Sequence, residues 1–388
     1  MYSIAVFTSL PPIKSGISFY NEVLAKALSK FYTITFFTDS SYEPKSDLRQ
    51  YGAMYKVVDA DKTVEKLKEF DAVIYHFGNN PYHAYMYDIA LRVPGIVVLH
   101  DLVLHHLVTF LTFGQNKPDL YLSKVAKCYP EYLEKAKNIV KNNLAPLYFD
   151  YPFHDEIVNS SLGVIVHNYY AKSVLDKKFN VDTYFVPLLD ISDVSSKEPV
   201  RIVEHSDIEI SCFGFIAMYK RAHIILSVFQ KLTEKYQHIK LNFVGEMNPE
   251  MNKLLDFITE NGLRDMVKFT GFCSDEEMSE YLANSDICVN LRYPSAGETS
   301  ATLVMALAHG IPTIVSKYRQ FDEYPDDVVL KVPLDLYEKN VLYSYLEKLI
   351  IDEDFRRALG ENARDYFQKN HSMDIVAARY KEIIDRYI

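Results

Sequence analysis

The stretch Glu209–Tyr236, EISCFGFIAMYKRAHIILSVFQKLTEKY, decides how the chain is read. A short apolar run ends at Phe213, a turn carries Lys220 and Arg221, and a helix-length segment follows from His223. Strand, tight turn and helix form the repeating half of a parallel α/β unit. The same grammar runs outward in both directions. Candidate strands before it are Ser3–Phe7, Ile34–Phe37, Ala72–Tyr75, Ile96–Leu99, Gly163–Val166 and Tyr184–Val186. A second set comprises Glu209–Phe213, Leu241–Val244, Val267–Phe269, Ile287–Asn290, Thr313–Val315 and Val328–Val332. Helix-length segments such as Phe19–Phe31, His223–Tyr236, Asn252–Asn261 and Asp275–Asn284 lie between them. Nearly continuous apolar strands alternating with helices predict an α/β protein of doubly wound parallel sheets. Twelve strands exceed one such sheet of ordinary width and divide into two groups of six.

The division falls in Asp190–Ser206, DISDVSSKEPVRIVEHS, which is polar and rich in turn formers. The expected organisation is a first domain over 1–190, a linker over 191–206, a second domain over 207–370 and a terminal helix over 371–388. Residues 108–160 interrupt the first domain with an aromatic, lysine-dotted helical stretch. Two doubly wound domains facing one another place a cleft between the carboxyl ends of their sheets, the usual seat of a ligand.

Composition narrows the function. Of 388 residues, 48% are hydrophobic and 24% charged, the balance of a globular protein. The net charge of −10 lacks the basic field of a nucleic-acid binder. Cys128, Cys212, Cys273 and Cys288 stand singly, against a zinc ribbon, a redox CxxC pair or a disulfide framework. The opening residues run straight into a strand without a leader pattern, and no apolar stretch has membrane-spanning length. The expectation is a soluble, cytoplasmic protein.

Polar residues cluster where the strands end. Gly16 closes the loop from Ser9 and opens a helix, so backbone can approach a ligand and helix-end N–H groups can meet an anion. A plain βα turn explains it equally. His76 with Asn79, and His100 with Asp101, follow first-domain strands and suit substrate hydroxyls; structural histidines are the alternative. No tetrahedral ligand spacing accompanies them, so a metal site is rejected. Lys220 and Arg221 stand at a helix start, where positive charge opposes the dipole unless an anion intervenes. Arg292-Tyr-Pro-Ser-Ala-Gly-Glu-Thr-Ser300 then leads into a helix ending at Gly310, with Thr299 or Ser300 as its cap. The amides of Ser300, Ala301 and Thr302 form an anion cradle, and Glu298 beside it suits sugar hydroxyls.

At these residues the chain resembles the retaining GT-B glycosyltransferases of family 4 (glycosyl transferases group 1). The resemblance includes PPIKSGISFYNEVLAKAL from Pro11, His100-Asp101, VIVHNYYAKSVL from Val164 and FGFIAMYKRAHIILSVF from Phe213. It continues through FTGFCSDEEMSEYLANSDICVNLRYP from Phe269, the Glu298 segment and HGIPTIVS from His309. A subset of the family carries the Gly-Glu-Thr-Ser helix start and the later Phe321, Glu323, Pro325, Asp326 and Asp327.

The resemblance implies a metal-independent hexosyltransferase that takes a UDP- or GDP-type sugar and no cofactor. Its acceptor would be a glycan or a lipid-linked molecule bound by the first domain. Gly16 would lie near the donor phosphate, and His100 would bind the donor sugar. Lys220, with Arg221, would neutralise the leaving diphosphate. Phe272 and Cys273 would line the base pocket, Glu298 would bind hydroxyls, and Thr299–Thr302 would hold phosphate. His76, Asn79 and Asp101 are acceptor-side candidates. The resemblance further implies that the terminal helix returns to the first domain.

Two departures stand out. Where the family carries two glutamates eight positions apart, this chain has Gly297 and Met305, with Glu298 one residue late. The family's Arg five residues before the Lys is Phe215. The alternatives are a nucleotide-sugar 2-epimerase and a degenerate subunit that binds without turnover. The region Lys117–Lys141 reads as a solvated helical face, with docking on anionic lipid at the inner membrane face as the alternative.

Overall fold

A computed structural model describes residues 1–190 and 207–388. The expected linker 191–206 lies outside the described residues. The chain divides into two compact units. The first comprises Met1–Pro187, Ala296–Thr299 and Met373–Ile388, and the second Leu188–Ser295 and Ser300–Ser372.

The first unit carries a seven-stranded parallel sheet in the order β3-β2-β1-β4-β5-β6-β7. Its strands are β1 (Ser3–Phe7), β2 (Thr33–Asp39), β3 (Ala53–Val57), β4 (Ala72–Phe77), β5 (Ile96–Leu99), β6 (Gly163–Val166) and β7 (Thr183–Phe185). The central strands β4, β5 and β6 are buried along their whole length. Helices cover both faces, which is why these strands read as unbroken apolar runs. The edge strand β3 was not expected. AMYKV is half-exposed and mixes Lys56 with apolar residues, so it lacks that signature.

Helix α1 (Gly16–Leu28) follows β1, and Ser15 caps it by accepting from Ser18 N; α2 (Ala60–Leu67), α3 (Ala84–Arg92) and α8 (Tyr169–Lys178) follow β3, β4 and β6. In the stretch between β5 and β6, α4 (His105–Thr112), α5 (Pro118–Cys128), α6 (Leu133–Asn142) and α7 (Asp155–Ser160) enclose buried Tyr121, Tyr132 and Phe153. Several lysines there have acidic partners: Lys124 and Lys127 meet Glu156, and Lys137 meets Glu134. The last helix, α15 (Met373–Ile384), packs in this unit, where Tyr380 Oη meets Tyr20 Oη at 2.8 Å in a buried pair.

The second unit has a six-stranded parallel sheet in the order β10-β9-β8-β11-β12-β13. The strands are β8 (Ile208–Phe213), β9 (Ile239–Val244), β10 (Val267–Phe269), β11 (Ile287–Asn290), β12 (Thr313–Ser316) and β13 (Val329–Val332). Its helices include α9 (Ala222–Thr233), α10 (Lys253–Glu260), α11 (Asp275–Asn284), α12 (Ala301–Ala308), α13 (Glu338–Ile351) and α14 (Glu353–Asn370). Helices α12 and α14 meet through glycine: a Cβ on Gly360 would lie 2.3 Å from Gly310 O. In both sheets strand order reverses beside the first strand, at β1/β4 and at β8/β11, and ligands of doubly wound sheets bind outside such switch points. No helix among the described residues is long and apolar enough to cross a membrane.

Candidate functional site

In the second unit the site grows from the carboxyl end of β8. Gly214 follows it at φ +85, a conformation that glycine alone adopts without strain. A Cβ there would stand 2.7 Å from Lys220 Nζ and 3.3 Å from Thr302 Cγ2. One glycine therefore brings the Lys220 ammonium and the first turn of α12 together across the switch point. Lys220 Nζ also donates to Phe213 O, which fixes it over the strand end.

Ser300, not Thr299, caps α12, accepting from Leu303 N at 3.3 Å. Its Oγ also accepts from Asn290 Nδ2 at 3.0 Å and Arg292 Nη2 at 3.3 Å, and lies 3.1 Å from Thr302 Oγ1. Asn290 ends β11, so the cap is tied to the strand beside β8. The first amides of α12 have no partner within the helix, and the dipole adds partial positive charge at that end. The arrangement suits an anion.

Arg221 departs from its expected place beside that anion. It adopts φ +59, and both Nε and Nη2 bond the Glu338 carboxylate at the start of α13. The Tyr293 ring lies 5.9 Å from its guanidinium carbon. Bidentate pairing orients the fork toward α13. Met305 is buried against Phe213 and Val244, a core position.

Phe272 and Cys273 follow β10 on a loop opened by Gly271 at φ +72. Cys273 Sγ reaches Thr270 Oγ1 at 3.1 Å, and the same oxygen accepts from Gly245 N at 3.0 Å. A Cβ on Gly245 would lie 2.6 Å from Gly214 O, so this loop abuts the Lys220 region. Phe272 is 55% exposed, a surface on which a planar group can stack.

In the first unit, β4 and β5 deliver His76 and His100. His76 Nδ1 and His100 Nε2 are 3.0 Å apart, both rings are buried, and Tyr20 stands edge-on to His100. Burial, reinforced by neighbouring histidines, pushes both well below the usual imidazole pKa, so the pair is neutral at pH 7. His167, directly after β6, adds a third ring 4.8 Å from His100. It was missed, although it follows its strand just as His100 does.

Asn79 and Asp101 build loops. Asp101 Oδ2 accepts from Asn79 N at 2.7 Å, and Asn79 Oδ1 accepts from His106 N and Leu107 N at the start of α4. Asn79 Nδ2 also meets His106 Nδ1 at 2.7 Å. Gly16 is the first residue of α1, and a Cβ there would meet nothing within 4 Å.

The segment Ala296–Thr299 belongs to this unit. Gly297, at φ +78, sits so close to Leu102 that a Cβ would lie 2.6 Å from Leu102 Cβ. Asn168 Nδ2 donates to Gly297 O at 2.9 Å, and Thr299 Oγ1 donates to His167 O at 2.9 Å. Thr299's hydroxyl is thus taken up by β6's carboxyl end. Glu298, half-buried, is held between these anchors.

Residues 199–366 match the family described as Glycosyl transferases group 1. An uncharacterized glycosyltransferase of Methanocaldococcus jannaschii is 23% identical over 202 residues. That match covers 51% of this chain and only half of the relative's length. Among solved structures, Anabaena HepE in complex with UDP and glucose superposes with a TM-score of 0.68 at 14% identity, over 100% of both chains. Sucrose-phosphate synthase from Thermosynechococcus elongatus gives 0.66 at 16%, over 100% of this chain and 99% of that one. The fold is GT-B.

Proposed function

We propose that the protein transfers a hexose from a nucleoside-diphosphate sugar to a glycan or lipid-linked acceptor, with retention, a reading supported by the match of residues 199–366 to the glycosyl transferases group 1 family. The observation that carries this reading is the convergence of Lys220 Nζ, Gly214 and Thr302 at the N-terminus of α12. The diphosphate lies there, between the ammonium and the amides of Ala301 and Thr302. The base lies against Phe272 and the Gly271 backbone. The acceptor binds the first unit at the carboxyl ends of β4, β5 and β6, with His76 on its side, while His100 and Glu298 take hydroxyls of the donor. Binding of UDP and glucose by the similar Anabaena protein makes UDP the first nucleotide to try.

Chemistry then rests on the leaving group. As the anomeric C–O bond breaks, its electron pair passes to the diphosphate, and Lys220 with the helix-end amides stabilises that charge. The acceptor oxygen attacks from the same face and its proton passes to the departing phosphate oxygen. This accounts for retention without a protein nucleophile, and the reading calls for no metal ion. The test is calorimetric titration of UDP, GDP and ADP into the protein and into Lys220→Ala. One nucleotide binding at micromolar strength, and lost in the variant, supports the reading; a folded protein that binds none refutes it.

Met305 favours a second reading, a binding subunit without turnover, because an apolar core residue stands where the family carries a glutamate. That reading predicts a folded protein that binds none of the three nucleotides.

A further inference from the structure

The proposed diphosphate carries more charge than Lys220 alone can balance, and the basic residue beside it in sequence is committed to Glu338. We infer that Arg292, a residue distant from Lys220 in sequence, is the second cation of this site and sets its preference for a diphosphate. The inference rests on the donor-site reading above.

Arg292 lies two residues beyond β11, the strand across the switch point from β8. It is 8% exposed, and its Nη2 reaches the oxygen of Ser300 that caps α12. Its backbone N donates to Ser316 Oγ at 2.9 Å, which anchors it to β12. The guanidinium lies over the Tyr219 ring, 5.4 Å from the centroid, and Tyr219 directly precedes Lys220. Tyr219 O in turn accepts from Tyr293 N at 2.7 Å, which ties the two basic segments together.

The geometry gathers like charges. Lys220 Nζ and Thr302 Cγ2 both border the space beside Gly214, and the Arg292 fork reaches Ser300 Oγ, 3.1 Å from Thr302 Oγ1, so both cations stand at the same helix start. The helix contributes about half a positive charge there. A mono-anion answers one cation, whereas a diphosphate spans both. A planar fork is also the side chain best matched to phosphate oxygens. The lysine at β8 and the arginine after β11 thus divide the work that sequence neighbours Lys220 and Arg221 were expected to share.

The experiment compares nucleoside diphosphate with bare nucleoside. Wild type, Arg292→Gln and Arg292→Lys are titrated with UDP and with uridine, GDP/guanosine and ADP/adenosine being used where those bases bind instead. The expected result is a loss of UDP affinity of about tenfold or more in Arg292→Gln, with uridine affinity unchanged. Arg292→Lys keeps the charge without the fork and falls between. UDP binding unchanged in Arg292→Gln overturns the inference. Equal loss of UDP and uridine overturns it too, because that marks a scaffold role. If Arg292→Gln does not fold, Arg292→Lys decides: an unaltered UDP-to-uridine ratio refutes the inference. A folded wild type that binds no nucleotide refutes the donor-site reading itself, whereas binding that depends on Lys220 but not on Arg292 refutes only this step.

Discussion

Replacing Gly214 by alanine perturbs the site by a single methyl group. At φ +85 the new side chain carries the left-handed penalty, on the order of 1–2 kcal/mol. The methyl would also stand 3.3 Å from Thr302 Cγ2, which must yield by a few tenths of an ångström. Its severe contact is with Lys220 Nζ at 2.7 Å, the far end of a flexible chain, so relief is cheap in stability but moves the ammonium. A displaced charge-assisted contact is worth about 1.5–3 kcal/mol, which corresponds to roughly 10–150-fold in nucleotide affinity. Gly262→Ala is the matched control: φ is +65 and a Cβ would meet nothing within 4 Å. Urea unfolding should show similar losses of about 1–2 kcal/mol in both variants. Calorimetry should show weakened UDP binding only in Gly214→Ala. If Gly214→Ala binds UDP like wild type while losing the expected stability, the position of Lys220 over Gly214 is irrelevant to binding and the reasoning fails.

Other contacts have consequences of their own. Glu338→Gln should destabilise by about 3 kcal/mol, the low end for breaking a buried pair because a fifth of the Arg221 side chain is exposed, and should leave UDP affinity unchanged in calorimetry. Gly360→Ala should cost about 3 kcal/mol in urea unfolding, since backbone at 2.3 Å cannot swing aside; a loss below about 1 kcal/mol would contradict the close approach of α12 and α14. Burial lowers His83 to about 3, below its unfolded value of about 6.5. The unfolded chain therefore binds the proton first, and stability present above pH 6.5 is lost as pH falls. From pH 7 to pH 5 this one group removes about 2 kcal/mol, His76 and His100 act with the same sign, and urea curves at the two pH values check it.

Most of the fold was legible because strands buried on both faces announce themselves as apolar runs. Ile96–Leu99, Gly163–Val166, Val267–Phe269 and Ile287–Asn290 have the bounds expected from sequence. Ala53–Val57 did not stand out because an edge strand need not be apolar on both faces. The allegiance of Ala296–Thr299 to the first unit was illegible for a different reason. It depends on Leu102, His167 and Asn168, residues remote in sequence that leave no local signal.

The candidate site divides the same way. Lys220 and the Ser300 cap are local features, a turn and a helix start, and sequence grammar finds them. Arg221 misled because adjacency in sequence is not adjacency in space: its left-handed backbone and Glu338 turn it toward α13. Asn79 and Asp101 read as ligand groups, yet their hydrogen bonds shape the loop and start of α4. Arg292 was in plain view, but only the closure of β11 beside β8 shows that it meets Ser300.

The most direct test of the central claim is a crystal structure of the protein grown with the nucleoside diphosphate it binds. The diphosphate should lie within hydrogen-bonding distance of Lys220 Nζ and the amides of Ala301 and Thr302, with the base against Phe272. A diphosphate bound elsewhere, with those groups untouched, would contradict it.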